Sequence, residues 1–94
     1  MIANRIVLNG ELSSAGTSDA VALFGRYALS IGDGSSWSGS VNVERSFDDG
    51  ATWRNIKTYT GDAEETIFAD GHQIKYRINC TALASGSVKY MVVR

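Results

Sequence analysis

Apolar and polar residues alternate along much of the chain, most regularly between Gln73 and Thr81. There Ile74, Tyr76, Ile78 and Cys80 share one phase, and Lys75, Arg77 and Asn79 share the other. A period of two over that length predicts a β-strand with one face in a core and one in solvent. From Ala20 to Ile31 the odd positions Val21, Leu23, Tyr27, Leu29 and Ile31 would share a face, with Gly25 at the same phase. A glycine inside so long a strand pattern predicts a bulge or bend where the chain leaves one sheet and enters another. A helix over Asp19–Ser30 competes, because Ala20 to Phe24 tolerate helical backbone.

The remaining segments read the same way. Arg5–Asn9 is a first short strand, and residues 10 to 19, GELSSAGTSD, follow as a loop rich in glycine and serine. GDGSS, residues 32 to 36, is a second loop. Ser40–Ser46 places Val41 and Val43 inward, and Thr52–Tyr59 answers it through the turn FDDGA, with Trp53 as an inward anchor. Glu65–Phe68 is a short strand, ADGHQ a turn, ASGS at 84 to 87 another turn, and Val88–Val93 the last strand. Short strands punctuated by turns about every ten residues predict an all-β antiparallel sandwich of about seven or eight strands, jelly-roll or immunoglobulin-like.

A chain of 94 residues has no apolar surface to spare for a second core, so residues 1–94 read as one domain. The formal net charge is −1 and the cations are scattered among acids. Nucleic-acid binding, which draws its affinity from a basic patch, is disfavoured. No apolar run reaches membrane length, and MIANRIVLNGELSS lacks the apolar stretch of a secretion signal, so cytosolic folding is expected. Cys80 is the single cysteine and His72 the single histidine, which leaves no internal disulfide and no metal-ligand cluster. Proline is absent, so any exposed strand edge lacks its usual guard against pairing with another chain.

Ser46, Asp48, Gly50, Thr52 and Trp53 form the pattern S-x-D-x-G-x-T-W. It resembles the Asp-box on hairpins of sialidases and other β-propellers. In that turn the aspartate accepts backbone N–H groups, the glycine takes a positive φ, and the tryptophan packs beneath the loop. The resemblance implies a rigid hairpin and no glycosidase chemistry, since Asp-boxes generally lie away from catalytic centres. A propeller is excluded by length. The acids Asp33, Asp48, Asp49, Asp62 and Asp70 fall in turns rather than as a placed carboxylate pair, so no catalytic residue is assigned and no cofactor or metal is expected. Trp37, Tyr59 and Tyr90 would suit sugar stacking if exposed, and serve the core otherwise.

Over about two thirds of its length the chain is similar to small β-proteins encoded among the virion genes of tailed bacteriophages. The likeness lies in a W-x-G-x-V-x-x-x-R-S-x-D-x-G-x-T-W hairpin (Trp37 to Trp53), then Y-R-x-x-C (Tyr76 to Cys80), then S-G-x-V-x-Y (Ser85 to Tyr90). It implies a virion structural protein without catalysis, assembled in the host cytoplasm and acting through copies of itself and the phage major capsid protein. A head decoration or cement protein, binding as a dimer or trimer, is the first expectation. A tail, adaptor or fibre-associated part is the second, and a carbohydrate-binding module the alternative from another class. Contacts are expected at strand edges and at loops 10 to 19 and 32 to 38, through Ser13, Ser14, Asp33, Ser35 and Trp37, whose region of small polar residues lets another backbone approach.

Overall fold

A computed structural model describes residues 6–23, 25–69 and 74–93. The first strand expected at Arg5 and the turn ADGHQ fall partly outside them. The described chain is all-β: β1 Ile6–Leu12, β2 Gly16–Thr17, β3 Val21–Ala22, β4 Gly25–Ile31, β5 Ser38–Ser46, β6 Arg54–Tyr59, β7 Ala63–Ala69, β8 Lys75–Ser85 and β9 Val88–Val93. Antiparallel pairing builds a sheet of order β1-β9-β4-β7 and a second of order β2-β8-β5-β6, with β3 also on β8. β2 and β3 form one edge strand with a bulge, because Thr17 pairs with Asn79 while Val21 pairs with Tyr76, one residue out of register. Between them Ser18 keeps the ladder closed. Its N–H donates to the Ile78 carbonyl, and its hydroxyl accepts the Ile78 N–H, each at 2.8 Å.

Counting that edge once, successive strands alternate between the sheets except for the β5–β6 hairpin. This strand order is a jelly roll, which decides between the two expected sandwich topologies. The bend expected at Gly25 is present: β3 lies on β8 in one sheet, β4 begins at Gly25 in the other, and Gly25 has φ +86°. Strand geometry also rules out the competing helix, for the described residues of Asp19–Ser30 include β3 and most of β4.

The two inner faces share one core. Tyr27, Leu29 and Ile31 of β4 and Val88, Tyr90 and Val92 of β9 meet Val41 and Val43 of β5 and Tyr76, Ile78 and Cys80 of β8. All are buried, and the Tyr27 and Tyr76 rings meet edge to face at 5.6 Å across the layers. The alternation read for β8 therefore holds through Cys80.

Two expectations need correction. The segment 10 to 19 is not a free loop, since Gly10–Leu12 pair with β9 and Gly16–Thr17 with β8, leaving Ser13 and Ser14 exposed at the corner between sheets. Of its two glycines only Gly10 is needed for close packing, since a Cβ there would run into the Tyr90 hydroxyl, whereas Gly16 has nothing within 4 Å. Trp53 is not in the core. Strand β6 begins only at Arg54, and a register shift between Val43 and Glu44 breaks the phase by which Trp53 would have pointed inward.

Candidate functional site

The Asp-box turn is built from its own side chains. Ser46, at the end of β5 and 1% exposed, donates its hydroxyl to Asp48 Oδ1 at 2.7 Å and accepts the Gly50 N–H at 2.8 Å. Asp48 Oδ1 also accepts the Thr52 N–H at 2.8 Å, and Oδ2 accepts the Thr52 hydroxyl. Asp49 at φ +62° and Gly50 at φ +95° turn the chain, and the Ala51 N–H reaches back to the Asp48 carbonyl at 3.3 Å. Two successive positive φ values make this a type I′ turn, for which Asp-Gly is a favoured pair. With its oxygens already accepting, the Asp48 carboxyl is held down at about 2, chiefly by the Thr52 hydroxyl, then by the Thr52 N–H and Ser46. Lys75 on β8 adds an ion pair to Asp49 at 3.0 Å.

Trp53 leaves this turn onto the outer face of the five-stranded sheet. Its ring lies 4.3 Å from the Arg77 guanidinium, and Arg77 Nε donates to Glu44 Oε1 at 2.7 Å. Asn79 donates to the other Glu44 oxygen at 3.0 Å, so Glu44, only 9% exposed, has both oxygens occupied. Register explains the cluster, since Glu44 stands opposite Arg77 across β5 and β8. On the other side of the turn Phe47 is exposed, and the Arg45 guanidinium lies 4.5 Å from its ring centre.

The expected interface residues gather at the opposite end of the sandwich. Leu12 pairs with Val88, Ile31 with Ala63, and Gly32 N–H donates to the Lys89 carbonyl at 2.7 Å, so the loops leaving these strands emerge together. Ser13, Ser14, Asp33 and Ser35 are exposed there. Asp33 accepts the Ser35 N–H at 3.0 Å and pairs with Lys89 at 3.2 Å; the Ser35 bonds first, then Lys89, lower its carboxyl below the usual range. Trp37 is half-buried against the core, and its indole N–H donates to Asp62 Oδ1 at 2.8 Å while the Gly34 N–H donates to Oδ2 at 2.9 Å. Asp62 thus fastens the 32–38 loop to the β6–β7 corner.

Sequence reasoning missed a second carboxylate. Glu65 lies on the inward phase of β7, in register with Leu29, and accepts from Tyr59 and from Lys57, the latter at 2.6 Å. Both donors are on β6, the edge of the other sheet, so this side of the sandwich is clasped across the layers. Burial first, then Glu65, raises the Tyr59 phenol, and Lys57, then Tyr59, lowers the Glu65 carboxyl. The signal available in sequence was the doubled acid Glu64-Glu65, one of which must point inward in a strand.

No stacking platform forms from Trp37, Tyr59 and Tyr90, because Tyr59 and Tyr90 are 6% and 8% exposed and belong to the core. Among the described residues, no group of three or more histidine, cysteine or acidic side chains converges on a metal position. No helix of the described chain is long and apolar enough to cross a membrane. Comparison with protein-family models gave no match, and comparison with curated proteins and with solved structures gave none either.

Proposed function

We propose that this chain is a non-enzymatic virion structural protein of a tailed bacteriophage. In this reading it is a head decoration protein that lies on the capsid surface as a small homo-oligomer. The observation that carries the reading is the order of motifs, from the Trp37–Trp53 hairpin through Tyr76–Cys80 to Ser85–Tyr90. The geometry of those residues supports it. Polar groups of the Asp-box are occupied by bonds within the turn, Glu44 is fully engaged by Arg77 and Asn79, and Cys80 is buried, which suits a rigid part more than a reactive one. A jelly roll is an architecture used by viral capsid domains, and by lectins as well.

The loops at the Ser13, Asp33 and Trp37 end offer exposed small polar residues on a framework pinned by Asp62, a pre-organised contact surface. Repetition over a lattice lets modest affinity per copy reinforce a whole shell. The test is to mix purified protein with mature heads that lack it and measure occupancy by sedimentation. Saturable binding at many copies per head is expected. No binding to heads removes the decoration reading, and binding to tails alone replaces it with a tail or adaptor role.

A further inference from the structure

We infer that β1 is a self-pairing edge, through which two copies of this chain join antiparallel about a two-fold axis near Gly10. The inference follows from asking which strand edges are protected. On β6 the Lys57 N–H is taken by the Asn55 side chain at 3.1 Å, so an edge group is closed within its own strand. On β7 Glu65 points inward and is held by Tyr59 and Lys57 from the facing sheet. β2 and β3 are two residues each, with a bulge between them. Capped groups, inward-pointing charges, short strands and bulges are the devices by which sheets refuse new strands. β1 runs for seven residues, IVLNGEL, and its one irregularity is a register shift between Ile6 and Leu8; from Leu8 to Leu12 it pairs with β9 in unbroken register and its one charge is Glu11.

Register shows which backbone groups β1 leaves open. The Gly32 N–H donates to the Lys89 carbonyl, and the same register aligns Ser30 with Met91 and Ala28 with Val93. Alternate residues of an antiparallel strand turn their backbone groups to opposite neighbours. Lys89 and Met91 therefore address β4, and Val88, Tyr90 and Val92 address β1, where they face Leu12, Gly10 and Leu8. The N–H and C=O groups of Asn9 and Glu11 consequently point away from the sheet.

These groups fit a second copy of themselves. An axis at Gly10 sets Asn9 of one copy opposite Glu11 of the other, so each exchanges backbone bonds while the two Glu11 carboxylates avoid facing each other. Leu8 then stands opposite Leu12 on the inner face, extending the apolar layer across the junction. Gly10 meets Gly10 where the strands come closest, and the ring of Tyr90 already fills the space beneath each. The two four-stranded sheets would become one continuous sheet.

The inference rests on the proposed function only in that both require a homo-oligomer, and the two can fail separately. Sedimentation equilibrium of the unaltered chain should give twice the chain mass. Asn9→Pro deletes one outward N–H that the β1–β9 ladder does not use, so it should halve that mass with the β-sheet circular dichroism unchanged. Amide hydrogen exchange of the unaltered chain provides a readout independent of the variant. The Asn9 and Glu11 amides should slow at least about tenfold on going from dilute to concentrated protein, a change of about 1.4 kcal/mol or more in protection. A chain monomeric at all concentrations, a folded Asn9→Pro dimer, or concentration-independent exchange at both amides would each overturn the pairing. Dimers that ignore phage heads would count against the head-decoration reading alone, and head binding by a monomer would overturn this pairing and the homo-oligomer while leaving head decoration standing.

Discussion

The Trp53 ring stacks on the Arg77 guanidinium at 4.3 Å, on the outside of the five-stranded sheet rather than within the core. Its removal should therefore be survivable. Trp53→Ala is expected to cost about 1–2 kcal/mol, the scale of a partly desolvated cation–π contact with some lost burial. Ile78→Ala, at a site 2% exposed, should cost about 2–5 kcal/mol. Urea unfolding of the two variants separates them, and a Trp53→Ala cost as large as that of Ile78→Ala would place the indole in the core after all.

Acid should loosen the Asp48 turn. The folded carboxyl titrates at about 2 and the free one near 3.8, so the stabilisation is complete above the upper value and is lost as pH falls from there towards the lower. Asp33 and Glu65, also lowered, add the same sign. Asp48→Asn should be less stable than the unaltered chain near pH 7, and the gap should shrink near pH 2.5. Melting temperatures at the two pH values check this; a constant gap would mean that the carboxylate charge is irrelevant to the turn.

Glycines should differ sharply in their tolerance of a methyl group. A Cβ on Gly39 would lie 2.2 Å from the Ala82 carbonyl oxygen, a backbone atom on the central β5–β8 pair that cannot move away cheaply. Gly39→Ala should cost about 1–3 kcal/mol by overpacking. Gly16 has nothing within 4 Å of the added atom, and Gly16→Ala should stay within about 0.5 kcal/mol of neutral.

Cys80 should be silent in the folded protein. It is 1% exposed and its thiol lies 3.4 Å from the Ala82 carbonyl oxygen. A thiol reagent should label it at the rate of unfolding, rising with denaturant in step with the loss of circular dichroism. Rapid labelling without denaturant would show the β8 phase to be misassigned.

Strands whose inner phase runs unbroken were legible from the alternation of apolar and polar positions alone. β8, with Tyr76, Ile78 and Cys80, is the plainest, and the crossover at Gly25 was marked by a glycine in a position that otherwise wanted an apolar side chain. Trp53 was misplaced because the register shift after Val43 is a two-strand property, set by how β5 and β6 pair and not by either segment. Residues 10 to 19 read as loop because Ser18 contributes to its ladder with a hydroxyl, which no periodicity records. The Asp-box turn was readable since its bonds lie within seven residues, Ser46 to Thr52. The Trp37–Asp62 fastening, 25 residues apart, was not, and neither was the Glu65 clasp, whose meaning depends on β6 and β7 ending up at facing edges.

β1 and β9 are antiparallel neighbours with Ile6 opposite Val93, so the two ends of the described chain leave the sandwich side by side. Tension applied between residues 6 and 93 would load the rungs of that ladder one after another, as a zipper is opened, and not all together in shear. The first strand should peel off at low force while the β5–β8 pair at the centre of the other sheet still holds. Anchoring through the hairpin or the Asp62-pinned loop would spare the ladder, so the direction of pull, more than the total stability, should govern how this domain fails mechanically.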